Sequence, residues 1–238
     1  MLCLSGTDGE ILWEVDKGVP VYEPTLADGK VYVGDRCYSS EGEILWKGDI
    51  FAGGNGESTC FYDDKTYLVK DDIPTCFKAS TGEIIWEHEK EEKEWLTSSM
   101  VAGFGKVFVT SRDKTYALDH LNGNIVWVSP FGTRWKKIPD KKINGVYNGG
   151  ASAITDTKVV VSGGGGTACL DIDTGEILWE SEVKGCLPVI VGDKHIWTAI
   201  GGTLSCLSLE TGKTIIQKKY YTRGKNGLGY SQSSSCKR

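Results

Sequence analysis

Short apolar runs along this chain alternate with polar turns, and no long segment has the spacing of an amphipathic helix. Residues 169–180 are typical: an alternating run, Cys-Leu-Asp-Ile-Asp, is followed by Thr-Gly and then by Glu-Ile-Leu-Trp-Glu. The turn glycine supplies the positive φ that a tight hairpin requires. The pattern therefore predicts two short strands joined by a turn.

This hairpin pattern recurs six times along the chain. The aligned turn glycines are Gly9, Gly42, Gly82, Gly123, Gly175 and Gly212. A tryptophan stands four residues after each of the first five, at Trp13, Trp46, Trp86, Trp127 and Trp179. The sixth copy has Ile216 at this position. A repeat of about 40 residues is typical of solenoids and propellers.

Two further strands are predicted upstream of each hairpin. A lysine after a turn begins one of them in five copies, at Lys30, Lys65, Lys106, Lys158 and Lys194. Another partly apolar run precedes each lysine. Four strands per repeat predict an all-β fold, a β-propeller of four-stranded antiparallel blades. The repeats cover residues 1–238 as one domain.

We expect the sequence to open in the middle of a blade, because the strands upstream of Gly9 would precede Met1. Residues after Gly212 have room for one or two more strands. We therefore expect six blades, closed by joining the N-terminal and C-terminal half-blades, which removes exposed sheet edges. A fragment of a seven- or eight-bladed propeller is the alternative.

The Ala-x-Asp-x-x-Thr/Asn-Gly-x-x-x-Trp pattern, clearest in the copies around Gly123 and Gly175, resembles the tryptophan-docking repeat of PQQ-like β-propellers. That superfamily includes quinoprotein alcohol dehydrogenases and many propellers without a cofactor. The resemblance implies that the five repeat tryptophans stack on neighbouring blades as structural staples. It also implies that the small residue about six positions before each glycine makes room for the ring.

Eight cysteines could indicate a disulfide framework, but most of them occupy one repeated position. Equivalent positions on successive blades are expected to be too far apart for a disulfide. Unpaired thiols favour a reducing compartment. We therefore expect a cytoplasmic protein, or an extracytoplasmic one if an N-terminal signal has been removed.

The sequence contains no recognisable catalytic constellation. It has no adjacent cysteines of the kind that quinoprotein enzymes often place under the cofactor, and its three histidines form no metal motif. Asp171 and Asp173 belong to a repeat turn, and the glycine runs at 53–56 and 163–166 lack the context of a phosphate loop. We predict no cofactor, no metal and no enzymatic activity.

Charge and hydropathy exclude further classes of function. The net charge of −5 argues against nucleic-acid binding, and no apolar run approaches the roughly 18 residues of a membrane span. Against this acidic background, the longest step between glycines, from Gly123 to Gly175, contains a basic segment. Its candidate partner-binding residues are Arg134, Trp135, Lys136, Lys137, Lys141, Lys142 and Tyr147.

Long insertions in repeat scaffolds lie on one face and often bind partners. The sequence therefore predicts a non-catalytic, monomeric scaffold that binds a protein or peptide through its loop face. The alternative for the basic segment is a solvated loop. The alternative function is a sensor or oxidoreductase that binds a small molecule or quinone in its central channel.

Overall fold

A computed structural model describes residues 1–15, 24–48, 58–70, 73–89, 100–133, 151–185, 188–192 and 194–220. These residues contain 22 β-strands and no helix, so they include no helix that could span a membrane.

The strands form one two-stranded sheet and five four-stranded sheets within the described part of the chain. The half-blade contains β1 (Leu2–Leu4) and β2 (Ile11–Glu14). Blade 1 contains β3 (Thr25–Ala27), β4 (Lys30–Val33), β5 (Arg36–Ser39) and β6 (Ile44–Lys47). Blade 2 contains β7 (Cys60–Tyr62), β8 (Lys65–Lys70), β9 (Ile73–Lys78) and β10 (Ile84–Glu87).

The remaining three blades have the same composition. Blade 3 contains β11 (Val101–Gly103), β12 (Lys106–Thr110), β13 (Thr115–Asp119) and β14 (Ile125–Ser129). Blade 4 contains β15 (Ala151–Ile154), β16 (Lys158–Gly163), β17 (Gly166–Asp171) and β18 (Ile177–Ser181). Blade 5 contains β19 (Val189–Val191), β20 (His195–Ile200), β21 (Thr203–Ser208) and β22 (Thr214–Lys219).

Every blade is an antiparallel meander in which strands pair in chain order. The first strand of each complete blade contacts the first strand of the next, as between β7 and β11 and between β11 and β15. In blades 1 to 4 the second and third strands contain continuous buried runs, such as Val159–Val161 in β16, whereas β20 of blade 5 is partly exposed. The architecture is that of an all-β propeller, as the repeat predicted.

A β-bulge recurs between the third and fourth strands of every blade and of the half-blade. In blade 1, Cys37 pairs with Trp46 but the next residue, Tyr38, pairs with Ile44, so Leu45 is the extra residue. A bulge bends its strand and redirects the side chains on it. The repeated Ile-Leu-Trp sequence therefore places consecutive aliphatic residues, such as Ile44 and Leu45, on an exposed edge.

The half-blade contains the two strands that correspond to the third and fourth strands of a complete blade. The segment predicted to complete it follows Tyr220 and lies outside the described residues. Ring closure and the extent of the single domain therefore stay predictions.

Candidate functional site

Antiparallel order gives every blade two distinct ends. One end, which we call the turn face, carries the turns between the first and second strands and between the third and fourth. The other, the loop face, carries the turns between the second and third strands and the connections between blades. The predicted binding segment connects β14 with β15, and the strand ends that it joins lie at the loop face.

All seven predicted partner-binding residues, Arg134, Trp135, Lys136, Lys137, Lys141, Lys142 and Tyr147, lie outside the described residues. The start of their connection is described and is held firmly. The Thr115 hydroxyl donates to the Phe131 carbonyl at 2.6 Å, and the Thr133 amide donates to the Ser111 carbonyl at 3.1 Å. Thr133 is buried, so the connection leaves the loop face from a fixed point.

Close backbone packing surrounds this stem. A Cβ added at Gly132 would lie 2.6 Å from the Arg112 carbonyl carbon, and one added at Gly163 would lie 2.7 Å from the Thr133 Cα. Gly163 is at the end of β16 in blade 4, and it pairs with Gly166 across a tight turn. The connection therefore begins where blades 3 and 4 meet, and the glycine run at 163–166 forms a hairpin turn.

The repeat tryptophans lie between blades. The Trp46 ring lies against Gly82 of the following blade, where an added Cβ would be 2.5 Å from Trp46 Cε3. The Trp46 indole N–H also donates to the Ala79 carbonyl at 2.8 Å. The same glycine contact and indole hydrogen bond are made by Trp13 with the turn of Gly42, Trp86 with that of Gly123, Trp127 with that of Gly175, and Trp179 with that of Gly212.

Gly9 differs from the other five repeat glycines. An added Cβ there would meet no described atom within 4 Å. Ile216, which replaces tryptophan in the sixth copy, is 40% exposed on β22. Each of the five repeat indoles therefore docks onto the blade that follows it in the chain, starting with Trp13 of the half-blade.

Two of the repeat lysines connect neighbouring blades at the turn face. The Lys106 ammonium lies 2.8 Å from an Asp173 carboxylate oxygen, and that of Lys158 lies 3.5 Å from Glu210. Both acids stand two residues before a docking glycine in the next blade. The sequence marked these lysines as strand starts, but their ion pairs depend on the packing of blades.

Lys65 of blade 2 makes a different arrangement. It pairs at 2.9 Å with Asp63 of its own blade, and the same Asp63 oxygen lies 3.3 Å from His120 Nε2 of blade 3. The Lys65 ammonium, with a smaller contribution from His120, holds the pKa of Asp63 below its usual value. His120 Nδ1 lies 2.9 Å from the Gly105 carbonyl, which can only accept, so this nitrogen carries the proton.

The two aspartates of the repeat turn in blade 4 are engaged by local hydrogen bonds and by an ion pair. Asp171 accepts hydrogen bonds from the Thr174 and Asp173 amides at 2.8 and 2.9 Å, and these local bonds lower its pKa. Asp173 is paired with Lys106. Across the residues that the structure describes, no cluster of three histidine, cysteine or acidic side chains could hold a metal ion.

The three histidines lie in different blades of the fold. His88 Nδ1 lies 2.8 Å from the Gly123 carbonyl in the following blade, beside the turn on which Trp86 docks. His195 lies exposed at the start of β20. With His120, these side chains belong to three different blades.

The described cysteines are free thiols, as their repeated position predicted. They are Cys3, Cys37, Cys60, Cys76, Cys169 and Cys206. Cys76 pairs across strands with Trp86, and Cys169 with Trp179, so the small thiol faces the strand that carries the indole. Burial raises the pKa of both thiols to about 12, which makes them unreactive near neutral pH. Cys186 and Cys236 lie outside the described residues.

Comparison with known proteins identifies the family. The profile of the family described as outer membrane protein assembly factor BamB matches residues 2–218. No curated protein sequence matches the chain.

Three solved structures show the breadth of the fold. BamB from Moraxella catarrhalis has 16% identity and a TM-score of 0.57, with 80% of this chain and 55% of that chain covered. The computationally designed Ika8 protein has 16% identity, a TM-score of 0.67 and coverages of 88% and 65%. The quinohemoprotein alcohol dehydrogenase from Comamonas testosteroni has 17% identity, a TM-score of 0.63 and coverages of 87% and 43%.

The chain therefore spans less than two thirds of the length of each of these structures. At these identities the likeness shows the fold alone, which catalytic and non-catalytic proteins share. The matched range, residues 2–218, contains all six repeat glycines and the five repeat tryptophans. The chain belongs to the PQQ-like β-propeller family described as outer membrane protein assembly factor BamB.

Proposed function

We propose that the chain is a non-catalytic β-propeller scaffold that binds a protein or peptide through its loop face. The observation that carries the proposal is the fixed stem at Phe131–Thr133, from which the longest connection between blades departs. That connection contains five cations, in a chain of net charge −5. A rigid framework that presents a long loop is the usual arrangement of a binding site on a repeat protein.

The partner chemistry follows from the charge of the connection. Arg134, Lys136 and Lys137 flank Trp135, which provides cations beside a large apolar ring. Arginine and tryptophan are among the residues that contribute most to binding energy at interfaces. We therefore infer an acidic protein segment as the partner. The matched family's description as an assembly factor supports protein binding over catalysis.

The test compares two charge-reversal variants in affinity capture from the native source. The first carries Arg134→Glu, Lys136→Glu and Lys137→Glu. The control carries Lys47→Glu, Lys78→Glu and Lys213→Glu, which reverse three exposed charges in other blades. We expect the first variant to lose a partner that the wild type and the control retain. Identical capture by all three proteins would refute the role of the loop.

The central-channel alternative has a direct test of its own. Purified protein would be analysed by absorption spectroscopy and by elemental analysis for calcium. Stoichiometric quinone and calcium would replace the scaffold proposal with a quinoprotein. Light scattering in the same preparation tests the monomer that we expect, at a mass of 26.0 kDa.

The compartment is the remaining part of the proposal. The family description, an outer membrane protein assembly factor, supports the extracytoplasmic alternative over the cytoplasmic prediction. The free thiols instead favour a reducing environment. Fractionation of the source cells, followed by immunoblotting, would show which of these two observations reflects the location.

A further inference from the structure

The turn between β11 and β12 holds an exposed aromatic residue in a backbone conformation that such residues avoid. Among the described residues, three first-to-second strand turns have two central residues with positive φ: Asp28–Gly29, Asp63–Asp64 and Phe104–Gly105. Aspartate and glycine tolerate this conformation, whereas a bulky residue is strained in it. Phe104 has φ of 54° and is 52% exposed. Local folding therefore does not account for a phenylalanine here.

A second apolar residue stands in the neighbouring turn of the same blade. Leu121 lies two positions before the docking glycine and is 56% exposed. The equivalent residues in the other copies are all polar, namely Thr7, Ser40, Ser80, Asp173 and Glu210. Blade 3 thus replaces polar turn residues with apolar ones at two positions.

Hydrogen bonds join these two turns and fix them to blade 2. The His120 amide and Nδ1 approach the Gly105 carbonyl at 3.3 and 2.9 Å, so residues 104 and 121 flank a bonded pair. The Gly105 amide donates to the Tyr62 hydroxyl at 3.1 Å, and the Tyr62 and His120 rings meet edge to face at 5.4 Å. A surface held in this way loses little entropy when it binds.

Exposed carboxylates contact residues of the same two turns, because Asp63 meets His120, next to Leu121, and Asp173 pairs with Lys106. The Asp63 side chain is 55% exposed and that of Asp173 is 76% exposed, whereas their lysine partners, Lys65 and Lys106, are each 16% exposed. The two carboxylate side chains are therefore much more exposed than the lysine side chains that pair with them. A partner is presented with an apolar centre and a negative rim, which favours a cationic segment.

We propose that Phe104 and Leu121 form a second docking site, specific for a protein segment that carries an aliphatic or aromatic side chain between lysine or arginine residues. The site lies on the turn face. It is therefore separate from the loop-face connection of the proposed function and does not depend on it.

The test measures binding of fluorescein-labelled peptides to the full chain by fluorescence anisotropy. The probe is Gly-Lys-Arg-Phe-Leu-Arg-Lys-Gly, and two control peptides replace either Phe-Leu with Ser-Ser or all four cations with glutamate. The variants are Phe104→Asn, Leu121→Ser and their combination. Leu26→Ser is the matched control, because Leu26 is 75% exposed in blade 1.

We expect the probe to bind and both control peptides to bind at least about tenfold more weakly. Each single variant weakens binding of the probe by roughly tenfold, and Leu26→Ser leaves it unchanged. Phe104→Asn also raises the melting temperature, because asparagine tolerates the left-handed conformation. The triple reversal at Arg134, Lys136 and Lys137 leaves probe binding intact.

The proposal would be overturned by no binding of the probe, by equal binding of the probe to the double variant, or by a lower melting temperature for Phe104→Asn. The last result would mean that the phenylalanine is required for folding. Loss of probe binding in the triple reversal would assign the peptide to the loop face instead.

Discussion

The contact between an indole and a repeat glycine makes the sharpest prediction. Two glycines share a positive φ but only one of them contacts a ring, so comparing them separates the backbone cost of a substitution from the cost of the contact. Gly175 has φ of 73°, and a Cβ there would lie 2.5 Å from Trp127 Cε3. Gly29 has φ of 67°, but an added Cβ would meet nothing within 4 Å. Gly175→Ala therefore combines a backbone penalty with displacement of the ring, and Gly29→Ala has the backbone penalty alone.

The magnitudes follow from these two components. An alanine in the left-handed conformation costs about 1–2 kcal/mol in either variant. Forcing a side chain out of a packed contact costs a further 1–3 kcal/mol, approximately. We expect Gly175→Ala to lower the free energy of unfolding by about 2–5 kcal/mol, and Gly29→Ala by about 1–2 kcal/mol.

Urea unfolding followed by circular dichroism provides the measurement, with the midpoint compared at unchanged slope. A double-mutant cycle with Trp127→Leu isolates the contact, since the extra cost of Gly175→Ala disappears once the ring is absent. Equal destabilisation by Gly175→Ala and Gly29→Ala would refute the reasoning, as would an unchanged cost in the Trp127→Leu background.

The remaining predictions concern the tryptophans, the thiols and the ion pairs. Trp127→Ala should destabilise by roughly 3–5 kcal/mol in urea, and Trp127→Phe by less, since a ring remains in place. In the folded protein, burial raises the pKa of the Cys76 and Cys169 thiols from the ordinary value of 9 to about 12. Between these pH values the thiols of the unfolded chain are deprotonated, whereas those of the folded protein keep their protons. Stability should then fall between pH 9 and pH 12, by up to about 1.4 kcal/mol per pH unit for each thiol, and substitution of Cys169 by alanine should reduce the slope. In a thiol-reagent assay, both should react only after unfolding. Lys106→Met should cost less than about 1 kcal/mol, because its partner Asp173 is exposed, and the cost should shrink in high salt.

The repeat made much of the fold predictable from sequence. A glycine followed four residues later by a tryptophan, as in Gly123 and Trp127, occurs in five of the six copies and predicted a hairpin with a docking ring. The β-bulge was not predicted, although two consecutive aliphatic residues before each tryptophan were its signal. Bulge position depends on pairing between strands, as where Cys37 faces Trp46 but Tyr38 faces Ile44.

The candidate sites were predictable to different extents. The basic connection was evident from spacing and charge, because both are properties of a linear string. Phe104 and Leu121 could have been found by comparing turn positions between copies, where they replace polar residues. That the turns of Phe104 and Leu121 lie side by side could not have been predicted, because this arrangement depends on the hydrogen bond between His120 and the Gly105 carbonyl.

The sequence by itself determined the class of fold, the repeat and its length, because turn chemistry and alternation act over a few residues. Tertiary structure alone decided the contacts between blades: which turn each indole reaches, which acid each lysine meets, and which side chains share a face. Trp127 and Gly175 are 48 residues apart, and Lys106 and Asp173 are 67 apart. Such contacts form only when two complete sheets pack, so no local pattern encodes them.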